Sequence, residues 1–287
     1  MNLSFPTVIK RGVSARQAQP FASLLSRFGV RWASALVVAS LLLALPHPLA
    51  LEPTTPDTSD IGCPVATLLL SHRNDIAKAA AAHGIPGTAI AGVIAAEWTL
   101  NRSYADTMQE LWLSLRLKRN DDTWWEQWAE QGAQAAAQAR AAQSGRINPW
   151  PLSLIASGYV MSFGPAQLKP RTVILACQHF AAEEPVCRQG IKGLMAALLS
   201  EEDSLRLAAV VLRQEADLWR TRTGRDATTD VGLLATFYSA GAEARLAQSN
   251  EASLTWLNHF GRWVADHLTA LDSLLAERAL GATQCTL

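Results

Sequence analysis

Alternating runs of β-branched residues, the usual signal of β-strands, are scarce along the 287 residues of this chain. The sequence also lacks internal repeats, and its one biased tract is an Ala/Gln-rich patch that ends near Gln143. Apolar residues instead recur at helical spacing over most of the chain. The sequence therefore predicts a mainly or wholly α-helical fold.

The first 50 residues contain no acidic residue. A long leader with five basic residues precedes an apolar stretch from Trp32 to Leu45, which two prolines end. This order is typical of a secretory signal peptide, and the stretch is short for a membrane span. We therefore predict a signal peptide over 1–50, a periplasmic location and no membrane span after cleavage. The alternative is an uncleaved anchor, which would make the chain a membrane-associated helical protein held by residues 33–45.

A basic excess is missing from the rest of the chain. Without residues 1–50, the sequence has 20 basic against 25 acidic residues, a net charge of about −5. Binding to nucleic acid phosphates needs clustered basic residues, so no nucleic-acid partner is expected. The remaining length suffices for one full hydrophobic core. We expect a Pro/Thr/Asp-rich linker at 51–62 and one domain over 63–287.

Cysteine and histidine are too dispersed to suggest a metal site. The spacings of the four cysteines do not resemble a zinc ligand set, and the six histidines form no cluster, so we predict neither metal nor cofactor. In an exported chain, four cysteines suggest two disulfides. Cys177 with Cys187 would close a short turn between helices, and Cys63 with Cys285 would join the two ends of the domain. This is one of three possible pairings.

Start and stop signals predict the helices in the first half of the domain. A first helix over 65–83 ends at Gly84, and a second helix leads to Glu97. Ser103 and Asp106 form a capping box for a helix that reaches about residue 118. Another helix follows to about residue 143, so the two form an inserted helical pair at about 103–145. The first of the pair is expected to bury four apolar side chains: Met108, Leu111, Trp112 and Leu115.

The second half of the domain follows a long irregular segment over 145–167. Helices are predicted over 170–180, 188–199, 201–221 and 231–240, and a final helical stretch over 251–280 is expected to bend at Gly261. In the inserted pair, Trp124 and Trp128 share a face at a spacing of four residues. Such rings can stack on sugars, but the sequence favours packing against the preceding helix.

Glu97 ends an otherwise apolar run, Thr-Ala-Ile-Ala-Gly-Val-Ile-Ala-Ala-Glu-Trp, at residues 88–98. Burial disfavours the ionised form of a carboxyl group and raises its pKa, so a buried Glu can donate a proton near neutral pH. Glu97 is therefore a candidate general acid. The alternative is a solvated residue at the end of a helix.

Three short motifs occur in a fixed order along the chain. The first is Ala-Ala-Glu-Trp at 95–98, the second is Ser-Phe-Gly-Pro-Ala-Gln-Leu-Lys-Pro at 162–170, and the third is Ala-Thr-Phe-Tyr-Ser-Ala-Gly at 235–241. In this order they resemble the lysozyme-like superfamily, especially the lytic transglycosylases related to goose-type lysozyme. That resemblance implies a lysozyme-like helical domain that cleaves the β-1,4 bond between N-acetylmuramic acid and N-acetylglucosamine in peptidoglycan.

The resemblance also implies roles for single residues. Glu97 would be the only general acid and base, with no obligatory second carboxylate. Gln167 would face the substrate, Tyr238 would hydrogen-bond and orient the catalytic carboxyl group, and Gly164 would let the backbone approach the glycan. Ser162 would complete the substrate-binding motif.

The motifs depart from the family pattern at three places. Trp98 replaces the usual Ser, Ser239 replaces the usual Asn, and Pro165-Ala166 replaces Leu-Met. Trp98 and Ser239 are therefore secondary site candidates. The expected partners are peptidoglycan strands and, transiently, other envelope proteins. The alternative function is a catalytically degenerate protein that binds envelope glycan as a scaffold.

Overall fold

A computed structural model describes residues 61–142, 157–248 and 256–276. Within these ranges the chain forms twelve α-helices and no strand, which confirms the predicted all-α fold. The predicted signal peptide, residues 51–60 of the linker and the last residues of the inserted pair lie outside the described residues. None of the described helices combines the length and hydropathy that a membrane-crossing helix needs.

The helices are numbered here in chain order. They are α1 Cys63–Ser71, α2 Arg73–His83, α3 Gly87–Ala96, α4 Tyr104–Arg119, α5 Asp122–Ala142, α6 Pro170–Phe180, α7 Gly190–Leu199, α8 Glu201–Thr223, α9 Val231–Ala240, α10 Ala242–Gln248, α11 His259–Asp266 and α12 Leu268–Ala276. A π-helical turn at Glu97–Asn101 follows α3, and a 3-10 turn at Pro185–Arg188 precedes α7.

Two predicted helices are each divided at a histidine. The helix expected over 65–83 breaks at His72, whose ring contacts Asp75 at 3.2 Å and Glu201 at 2.8 Å. The final stretch breaks at His267 and not at Gly261 as predicted. Gly261 lies inside α11, where a Cβ would come within 2.4 Å of the Gly232 carbonyl oxygen. That glycine therefore serves close packing of α11 on α9.

α3 is the central helix of the core. It is buried on nearly every side and packs against α2, α9, α11 and α12. A Cβ on Gly92 would lie 2.6 Å from Val264 of α11, so the two helices approach closely at this point. Because apolar residues surround α3, the side chain of Glu97, which directly follows the helix, lies in a region of low polarity.

The sequence prediction for α4 is wrong about which face is buried. Met108, Leu111 and Leu115 are 50, 51 and 43% exposed, whereas Leu113 is completely buried. The ring of Trp112 is half-buried and stacks on Phe163 with the centroids 6.3 Å apart. Periodicity identified an apolar face on this helix, but the helix packs on the core through another face.

The predicted disulfide between Cys177 and Cys187 is present and links α6 to the 3-10 turn. Cys63 is also disulfide-bonded. Cys285, its predicted partner, lies outside the described residues, so that pairing stays a prediction.

Candidate functional site

The π-helical turn after α3 positions Glu97. The backbone N–H of Arg102 donates to the Glu97 carbonyl at 2.9 Å, and this i to i+5 bond widens the turn. The side chain of Glu97 is only 8% exposed. Its Oε2 accepts a hydrogen bond from Nδ2 of Asn101 at 2.8 Å. The alternative of a solvated helix end is therefore wrong, because the carboxyl group is buried and held by one amide donor.

Burial dominates the electrostatics of Glu97. Removal from water raises the pKa of this carboxyl group to about 7, while the Asn101 hydrogen bond and the positive charge of Lys169 act to lower the pKa, and Asp106 acts to raise it. A carboxyl group with such a pKa is present in both protonation states near neutral pH. It can therefore donate a proton and also accept one.

The second motif folds into a tight turn between Phe163 and Leu168, whose backbones form an isolated bridge. Gln167 closes the turn with a positive φ of 48°, which is unusual for a residue other than glycine. Its backbone N–H and its side-chain Nε2 both donate to the Gly164 carbonyl at 3.0 Å. The side chain is buried, so its amide nitrogen stabilises the turn. The amide nitrogen is not presented outward to a substrate, contrary to the expectation for Gln167.

Gly164 is required by packing within the protein. Its φ is +70°, and a Cβ at this position would lie 1.7 Å from the carbonyl oxygen of Leu198, near the end of α7. The expectation that this glycine lets the protein backbone approach a glycan has no support here, because a neighbouring peptide group already occupies the space.

The loop 163–168 is held by residues of the other two motifs. Nε1 of Trp98 donates to the Pro165 carbonyl at 2.9 Å, and the hydroxyl of Tyr238 donates to the Ala166 carbonyl at 2.5 Å. The backbone N–H of Ala166 donates to Oγ of Ser204 on α8 at 3.2 Å. The three motifs, which are up to 140 residues apart in sequence, therefore converge on one loop beside Glu97.

Tyr238 lies near Glu97 but makes a different contact from the one expected. Its hydroxyl proton is donated to the Ala166 carbonyl and not to the Glu97 carboxyl group. Burial, together with the negative charge of Glu97, raises the pKa of Tyr238 well above its ordinary value, so the phenol stays protonated. Tyr238 therefore positions the loop, and the negative charge of Glu97 helps to keep its phenol protonated.

The remaining predicted site residues have different surroundings. The Trp98 ring lies 3.7 Å from the guanidinium carbon of Arg102 in a cation–π contact. Ser239 donates to the Thr236 carbonyl at 3.1 Å and accepts from Asn258 at 2.7 Å, so it connects α9 to the start of α11. Ser162 is half-buried at the entrance to the loop.

Three acidic residues, Asp106, Glu110 and Glu243, were candidates for a second catalytic carboxylate. Two of them make other contacts, and the third is exposed on α10. Asp106 is buried and accepts the Ser103 backbone N–H in the predicted capping box. Glu110 lies 3.9 Å from Arg102, and Glu243 is exposed on α10. The described parts of the chain contain no group of three His, Cys, Asp or Glu side chains suited to a metal ion.

Asn101, Lys169 and Ser204 belong to the site but were not identified from the sequence. Asn101 follows Glu97 by four residues, a spacing that brings side chains together on a helix and so could have indicated the contact. Ser204 had no such signal, since its contact with Ala166 spans 38 residues.

The tryptophans of the inserted pair are used in packing. Trp128 is 7% exposed, and its Nε1 donates to the Ser157 carbonyl at 2.8 Å. The Trp124 and Trp128 rings stack with centroids 6.5 Å apart. The pair is thus used in packing, but Trp128 packs on the segment at Ser157 and Tyr159, and the preceding helix places Arg116 over the Trp124 ring.

Replacing Tyr238 with phenylalanine is expected to lower the free energy of unfolding by about 1–3 kcal/mol, because the Ala166 carbonyl loses its donor in a buried place. Tyr104→Phe is the matched control, since Tyr104 is 76% exposed, and its effect should stay within about 0.5 kcal/mol. Urea unfolding of both variants gives the two values. Equal losses would show that the Tyr238 hydroxyl does not hold the loop.

Comparison with known proteins adds no relative to this picture: no protein-family model, no curated protein and no solved structure matches the chain.

Proposed function

We propose that the chain is an exported enzyme that cleaves the β-1,4 glycosidic bond between N-acetylmuramic acid and N-acetylglucosamine in peptidoglycan. Glu97 is its single general acid and base. The order of the three motifs, which resembles that of lytic transglycosylases, supports this class of substrate.

One observation carries the proposal. A buried carboxyl group with a pKa of about 7 stands where residues of all three motifs meet, although nothing in local sequence requires them to meet. Perturbed carboxyl groups cluster at catalytic sites, because proton transfer is most efficient when the pKa of the group is close to the working pH.

The chemistry follows from these properties. Protonated Glu97 donates its proton to the glycosidic oxygen as the bond to the anomeric carbon breaks, and the leaving sugar departs as an alcohol. Ionised Glu97 then accepts a proton from the hydroxyl group that attacks the anomeric carbon. That hydroxyl belongs to water in a hydrolase and to the muramic acid 6-position in a transglycosylase. Asn101 keeps the carboxyl group in place for both steps, because it donates a hydrogen bond to Oε2 of Glu97 and makes none to Oε1.

Digestion of purified murein by the exported chain, with the soluble products identified by mass spectrometry, tests the proposal. Anhydro-muropeptides from the wild type and none from Glu97→Gln are expected from a transglycosylase. Products with reducing ends, again from the wild type alone, are expected from a hydrolase. If neither folded protein releases products, the enzyme proposal is wrong, and binding of both proteins to insoluble murein would favour the glycan-binding scaffold.

A further inference from the structure

The helix α4 carries a row of exposed apolar side chains on the side that faces away from the core. Tyr104, Met108, Leu111 and Leu115 are 76, 50, 51 and 43% exposed. Their spacings of four, three and four residues place them within an arc of about 60° on the helix. Leu113 lies on the opposite side and is completely buried. We call these four exposed residues the α4 ridge.

Basic residues surround the C-terminal end of the ridge. Arg116, Lys118 and Arg119 are all exposed in the last turns of α4. The two acidic residues of the helix lie elsewhere on it: Asp106 is buried in the capping box, and Glu110 is paired with Arg102. The exposed Asp121 and Asp122, which follow the helix, contact the Trp124 backbone N–H and Lys192. The outward side of α4 is therefore apolar and basic, although the sequence after residue 50 has a net charge of about −5.

This charge distribution disfavours a second copy of the chain as the occupant of the ridge. Parallel packing of two α4 helices would bring their basic ends together. Antiparallel packing would place each basic end near Asp106 of the other helix, but that carboxylate is buried and already held in its capping box. A negatively charged layer complements the exposed basic end directly.

We propose that the α4 ridge docks on a membrane surface that contains anionic phospholipid. The four apolar side chains enter the boundary between headgroups and acyl chains, and Lys118 and Arg119 contact lipid phosphates. The Arg116 guanidinium instead lies over the Trp112 and Trp124 rings. Exposed apolar side chains beside basic ones suit an anionic membrane surface, and tyrosine is enriched at the depth where Tyr104 would sit. This inference does not rest on the proposed glycan cleavage, since the ridge would bind lipid whether or not Glu97 is catalytic.

Hydrogen exchange of the full chain with vesicles tests the proposal. Vesicles of phosphatidylcholine with phosphatidylglycerol should protect the backbone amides of 104–119, vesicles of phosphatidylcholine alone should not, and high salt should weaken the protection. Reading α4 amides separates this contact from any binding through residues 33–45. The variant with Leu111→Gln and Leu115→Gln should need at least about tenfold more lipid for equal protection.

Leu175→Gln is the matched control, because Leu175 is 41% exposed on α6 and lies outside the ridge. The α4 amides of this variant should become protected at the same lipid concentration as those of the wild type. Unprotected α4 amides in anionic vesicles, or equal protection in the ridge variant, would overturn the proposal. Protection that rises with protein concentration in the absence of vesicles would overturn it in favour of a second copy, and protection by an acidic peptide alone would favour a protein partner.

Discussion

Glu97→Gln is expected to lower the rate of murein cleavage by at least about a thousandfold, because glutamine can neither donate a proton to the leaving oxygen nor take one from the attacking hydroxyl. Glutamine has nearly the same shape and can still accept the Asn101 hydrogen bond. The loss should therefore appear in kcat with little change in murein binding. Release of soluble muropeptides and co-sedimentation with murein measure these two quantities on the same samples.

The same variant should be more stable than the wild type at alkaline pH. The folded-state pKa of Glu97 is about 7 against an ordinary value of 4.5. Between pH 4.5 and about 7, the folded protein therefore keeps a proton on Glu97 that the unfolded chain has already lost. The contribution of Glu97 to stability is therefore fully present below about pH 4.5 and is lost as the pH rises through about 7. Removing the ionisable group abolishes this loss, which is on the order of 3 kcal/mol above pH 7.

Glu215→Gln separates the two effects of the Glu97 substitution. Glu215 is a second carboxyl group whose pKa burial raises to about 7, and its Oε2 accepts the Ala242 backbone N–H at 2.6 Å. This variant should gain stability over the same pH range and keep its cleavage rate within about threefold, because Glu215 belongs to none of the three motifs. Unfolding by urea at a series of pH values gives the stability curves. A Glu97→Gln curve parallel to that of the wild type would contradict the raised pKa of Glu97.

Gly164→Ala is expected to destabilise the fold by at least about 4 kcal/mol, which few single substitutions do. The added Cβ meets the Leu198 carbonyl at 1.7 Å, and backbone cannot move aside as a flexible side chain can. The loop 163–168 must shift or the end of α7 must move, and either change separates Ala166 from Tyr238 and Ser204. Urea unfolding measures the loss in stability.

Gly224→Ala provides a close control for backbone strain. Gly224 has the same φ of +70°, but a Cβ there would meet nothing within 4 Å. Its substitution should therefore cost only about 1 kcal/mol, the price of a left-handed conformation for alanine. If both alanine variants lost the same free energy of unfolding, the close approach of Gly164 to α7 would make no measurable contribution to stability.

Local sequence determined most of the helices and their ends. Gly84 and Gly224 end helices in the left-handed conformation, Pro170 opens one, and Ser103 caps one, because each feature depends on a few neighbouring residues. The candidate acid was also found from sequence, since a carboxylate at the end of a long apolar run is unusual. The sequence did not predict the helix breaks at His72 and His267. At both breaks the histidine ring contacts a polar group, and hydrophobic periodicity does not show where a ring will lie.

Only the tertiary structure decided which face of each helix is buried and which motif residues meet. The apolar spacing on α4 predicted a buried face, yet Met108, Leu111 and Leu115 of that face are exposed and belong to the α4 ridge, because packing selects a side of the helix from all its neighbours at once. Tyr238 and Gln167 were placed near Glu97 by sequence order, but their hydrogen bonds go to the loop 163–168. A sequence can specify that a side chain is polar and near a motif, whereas its partner depends on backbone groups that folding brings within 3 Å.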